Sequence, residues 1–73
     1  MSEKLLSTQN TSKVEKLVRK AAAAKFGCGK AKPHYEHGHW WVVLDDAEGD
    51  EVFYDVVDSY PSVANTGLSF ERL

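Results

Sequence analysis

A single cysteine, Cys28, leaves no partner for an internal disulfide, so no covalent staple holds this 73-residue chain. Long hydrophobic runs are missing too. The longest, Ala21–Ala24 and Trp40–Leu44, stop far short of the roughly 20 apolar residues that a bilayer-spanning helix needs. The opening residues, Met1 to Thr8, lack the apolar stretch and small-residue cleavage site of a secretory signal. No P-loop, dinucleotide fingerprint or nucleophile elbow is present, so no cofactor is expected. Together these absences predict a cytoplasmic protein with no membrane partner, held by packing, with a partner subunit or a metal as the remaining sources of help.

What is present has an ordinary globular balance, 42% hydrophobic and 27% charged. The length allows one domain, which buries only about 60% of the surface its unfolded chain exposes. Net charge is −2, but it divides unevenly. Residues 1–32 hold eight lysines and arginines against two acids, whereas residues 33–73 hold Arg72 against nine acids. Such asymmetry is a hint of a charged partner, but it fits better a basic helix docked on an acidic sheet.

Residues 1–11 are polar and read as a flexible N-terminal tail, with a single α+β domain over 12–73. Ser12-Lys13-Val14-Glu15 has the form of a capping box with Ser12 as N-cap. Val14, Leu17, Val18, Ala21 and Ala24 then recur at helical spacing, which predicts a helix from about residue 13 to 26 ending at Gly27. His39–Leu44 and Glu51–Val57 are rich in β-formers and flank the turn residues 45–50. His34–His37 extends the first strand backwards through a bulge at Gly38, and Leu68–Glu71 alternates as a short last strand. The expected fold is two-layer α+β, one amphipathic N-terminal helix packed on a three-stranded antiparallel meander in the order α-β-β-β. Its core should hold Val14, Leu17, Val18, Ala21, Trp40, Val42, Leu44, Val52, Tyr54, Val56 and Phe70.

One helix covers one sheet face. Trp40 and Trp41 are adjacent on a strand and therefore point to opposite faces. Trp40, Trp41, Phe53 and Tyr54 are thus candidate anchors of a protein-binding face, for an unknown protein partner or a second copy. A loop over residues 59–67, carrying Tyr60 and Val63, is the alternative cover for the outer tryptophan. The expected function is a small non-enzymatic accessory module.

A second reading uses the lysines. Lys13, Lys16, Lys20, Lys30 and Lys32 could track a phosphate backbone, although the acidic second half of the chain opposes a nucleic-acid partner. A third uses His34, His37 and His39 as metal ligands, with Cys28 or Glu36 completing a set, but the spacing matches no zinc module. The acidic turn fails as a calcium loop, since Leu44 would fall where the first carboxylate is required. Cys28 beside a histidine suggests a nucleophile pair, yet nothing supplies an oxyanion hole, so no catalytic residue is expected.

Overall fold

The computed structural model describes residues 5–73. Helix α1 spans Ser12–Phe26. Its N-cap is Thr11, not Ser12: the extended backbone at Thr11 lets its hydroxyl accept from the Val14 N–H at 3.2 Å. Glu15 does not close a capping box, because its carboxylate reaches forward one turn to Arg19 at 3.0 Å. Val14, Val18, Ala21 and Ala22 are buried, and Leu17 packs partly buried beside them. Ala24, expected on this stripe, is exposed, and Ala22 takes its place.

The sheet has four strands rather than three: β1 Lys32–Glu36, β2 His39–Asp45, β3 Glu51–Asp58 and β4 Leu68–Arg72. They pair antiparallel in chain order, β1-β2-β3-β4. The extra strand arises at His37-Gly38. Both residues have positive φ, 54° and 86°, so the chain reverses in a two-residue hairpin turn instead of bulging. Pro33 sits in β1 at the sheet edge, where its missing N–H is tolerated.

Alternation sorts the strands into two faces. Trp40, Val42, Val56, Leu68 and Phe70 are buried against α1, with Tyr35 and Tyr54 packed around them. Phe26 closes the helix end over Tyr54 and Phe70, its ring centroid 4.8 and 5.1 Å from theirs.

Residues 6–9 of the expected tail are tied to this inner face; residues 1–4 lie outside the described residues. Leu6–Thr8 forms one 3-10 turn in which Ser7 is buried. Three strands hold it. Asp58 accepts from the N–H groups of Leu6 and Ser7 at 2.8 and 3.0 Å. The Tyr35 hydroxyl donates to the Thr8 carbonyl and the Trp40 indole to the Gln9 carbonyl, both at 2.7 Å. Burial raises the Asp58 carboxyl pKa, but hydrogen bonds from the Ser7 backbone and hydroxyl and the Leu6 N–H outweigh it and leave it below the usual carboxylate value.

The connection between β3 and β4 runs to the same side. Its second 3-10 turn, Val63–Asn65, packs on α1, and Val63 joins the core. Gly67 permits the close approach: with φ of 80°, a Cβ there would meet the Leu6 Cδ1 at 3.2 Å. Tyr60, at the far end of this connection, is 98% exposed. No helix among the described residues is long and apolar enough to cross a membrane.

Candidate functional site

Helix, both 3-10 turns and the β3–β4 connection pack on one side of the sheet, so among the described residues no element covers the other side. The loop over residues 59–67, the alternative cover for the outer tryptophan, packs toward α1 instead. Of the four candidate anchors, Trp40 and Tyr54 belong to the inner face, and Trp41 and Phe53 to the outer one.

The strand register builds the outer face in rows. One row runs His34, Trp41, Asp55, Glu71 across all four strands, and the next runs Lys32, Val43, Phe53. His34 stacks on Trp41, ring centroids 4.5 Å apart and 21° from parallel. Phe53 flanks Trp41 from β3 at 5.7 Å and 49°. The three rings form a ladder over β1, β2 and β3, held by the same cross-strand neighbour contacts that stabilise any sheet. Val43 and Val57 extend its apolar area, and Phe53 is 40% exposed. Beyond β4, the exposed Leu73 extends the β3–β4 backbone pairing by donating its N–H to the Phe53 carbonyl at 2.9 Å.

Asp55 stands next to Trp41 in register, with His39 Nε2 3.1 Å from its Oδ1. The ring N–H does not meet that oxygen in hydrogen-bonding alignment, and Oδ1, shielded from solvent, accepts no hydrogen bond. The outer strand positions carry one lysine, Lys32, against the carboxylates of Glu36, Asp45, Glu51, Asp55 and Glu71.

The three histidines do not converge. Two-residue alternation from His37 to His39 is broken by the hairpin turn, so His37 projects at its tip, 3.9 Å from Glu36, while His34 and His39 are engaged with Trp41 and Asp55. Among the described residues, the group of three potential ligands close enough to share an ion is Asp46, Glu48 and Asp50, all exposed. Asp46 is already used within the turn, where its Oδ1 accepts from the N–H groups of Glu48 and Asp50 at 2.9 Å.

Lys13, Lys16 and Lys20 are exposed on α1, in the layer opposite Trp41; Lys30 lies in the loop before β1, and Lys32 is on the outer face. Cys28 is exposed and lines a cleft of about 290 Å³ with Arg19, Ala22, Ala23, Gly27, Gly29 and Ala31. None of the histidines lines that cleft. The residue that sequence reasoning missed is Asp55, whose place beside Trp41 follows only from the register of β2 on β3. Compared with known protein families, curated proteins and solved structures, the chain gives no match.

Proposed function

We propose that this domain is a non-enzymatic interaction module that docks a protein partner on the outer face of its sheet. The observation that carries the reading is the open ladder of His34, Trp41 and Phe53. Tryptophan and its aromatic neighbours are the usual energetic centres of interfaces, because they offer large apolar area at little entropy cost. An apolar centre within a charged rim is also the common anatomy of such surfaces.

The nucleic-acid alternative is weaker for a geometric reason. Single-strand binding combines base stacking with phosphate neutralisation on one surface. Here the rings and the lysines of α1 occupy opposite layers, and the rings are bordered by carboxylates. The non-enzymatic part of the reading is supported by the separation of Cys28 from the histidines.

A photo-crosslinking residue placed at Phe53, and in parallel at Lys16, tests the proposal in cells. The expected result is a discrete protein adduct from position 53, lost on Trp41→Ala, and none from position 16. Adducts indifferent to position, or confined to the helix, would refute it. Light scattering of the purified protein over a concentration series separates a foreign partner from a second copy.

A further inference from the structure

We infer that the outer face takes a basic, lysine- or arginine-bearing peptide segment, an inference that rests on the docking reading above. The face is an apolar ridge whose strand positions carry Lys32 against five carboxylates. Lys30 and Lys32 line one hollow with Asp45 and Glu51, which leaves Glu36, Asp55 and Glu71 as the acids away from any lysine of the face. Lysine and arginine side chains match that arrangement, since each has an aliphatic stem that covers apolar surface and a cationic head that stays at its margin. Stems laid along Trp41 and Phe53 carry their heads to Asp55, Glu71 and Glu36. A neutral apolar segment would cover the ridge but strip water from carboxylates without pairing them. An acidic segment or a nucleic-acid strand meets like charge.

Asp55 gives the argument its centre. Its side chain is 30% exposed and neighbours Trp41 in register; the solvent-shielded Oδ1 lies 3.1 Å from His39 Nε2, so the exposed remainder of the carboxylate is what a ligand can reach. An exposed carboxylate beside an aromatic ring suits a guanidinium, by charge-assisted hydrogen bonding and by contact with the ring. A second copy of the chain is a poor occupant. Its own cationic stripe is on α1, whereas among the described residues the exposed large apolar side chains, Leu5, Phe53, Tyr60 and Leu73, all lie off that helix.

The test is an amide and indole NMR titration near neutral pH with three blocked hexapeptides, alternating Arg-Val, Gln-Val and Glu-Val, and a mixed-sequence oligonucleotide. The Arg-Val peptide should move the Trp41 indole and the amides of β3, leaving the Trp40 indole in place. Its affinity should fall about tenfold between about 50 and about 300 mM salt, as screened charge pairs require. The double variant Glu36→Lys plus Glu71→Lys, at two exposed positions outside the core, should weaken it about tenfold as well. Equal binding of the Gln-Val peptide overturns the cationic assignment and leaves the docking reading standing. Arg-Val shifts confined to α1, or an oligonucleotide seated on Trp41, also overturn it. No peptide of any charge reaching Trp41, with no adduct at position 53, overturns both.

Discussion

Removing the Asp58 carboxylate should unclip residues 5–9 while the sheet stays folded. That carboxylate accepts two backbone hydrogen bonds, from Leu6 at 2.8 Å and Ser7 at 3.0 Å. A hydrogen bond to an ionised, shielded acceptor contributes about 1.5–3 kcal/mol. Asp58 is only partly buried, so solvent screening brings the pair together to about 2 kcal/mol. With a urea slope of about 1 kcal/mol per molar for so small a chain, Asp58→Ala should lower the midpoint by about 2 M. Asp58→Asn should lie between, since its amide oxygen still accepts one bond. The pH arm has a definite sign. The folded pKa of Asp58 lies below its ordinary 3.8, so the stabilisation is present above the unfolded value and is lost as pH falls through the folded one. The difference between the native protein and Asp58→Asn should therefore hold steady from neutral to mildly acid pH and close in strong acid. Urea unfolding followed by tryptophan fluorescence at both extremes measures this, with amide exchange at Leu6 and Ser7 as the local readout. A difference that persists unchanged in strong acid, or amides that exchange no faster in Asp58→Ala, would refute the reasoning.

Thr11→Ala should cost about 1 kcal/mol as the loss of an N-cap, while Ser12→Ala should be nearly silent; chemical denaturation of the two side by side checks the assignment. Val18, with no exposed surface, loses two methyl groups on Val18→Ala, and about 2–3 kcal/mol of stability should go with them in the same assay. His37→Asn should raise the thermal midpoint slightly, by a stability gain of about 0.5 kcal/mol, because asparagine tolerates a φ of 54° better than histidine does. If His37 instead held a structural metal, the same variant and excess chelator would both lower the midpoint steeply.

Much of the fold was legible because local rules and tertiary packing agreed. The helical spacing of Val14, Val18 and Ala21 marked the buried stripe, and the alternation in β2 correctly separated Trp40 from Trp41. The N-cap was displaced by one residue because Thr11 and Ser12 both carry a hydroxyl, and Glu15 three residues after Ser12 imitates a capping box. Strand β1 was hidden by composition: Lys32, His34 and Glu36 face solvent, Pro33 argues against a strand, and His37-Gly38 lacks the asparagine or aspartate usual in its turn. The docked N-terminal turn was unreadable for another reason. Its partner in the sheet, Asp58, is about fifty residues away, and no local pattern encodes a contact at that range. Half of the aromatic site could be anticipated from the strand period. The inclusion of His34 and Asp55 required the register between strands.

In the vocabulary of recognition, residues 6–9 are a tethered peptide ligand. Their backbone supplies two donors and two acceptors, and β1, β2 and β3 each contribute one receptor side chain, Tyr35, Trp40 and Asp58. The tether sets an effective concentration on the order of millimolar, so a free peptide must reach that level to displace the segment. Displacement would leave a hydroxyl, an indole N–H and a carboxylate facing one place without their bonds. The inner face thus holds a self-occupied receptor that reads backbone, chemically distinct from the acidic aromatic surface behind it, where docking is proposed to run through side chains.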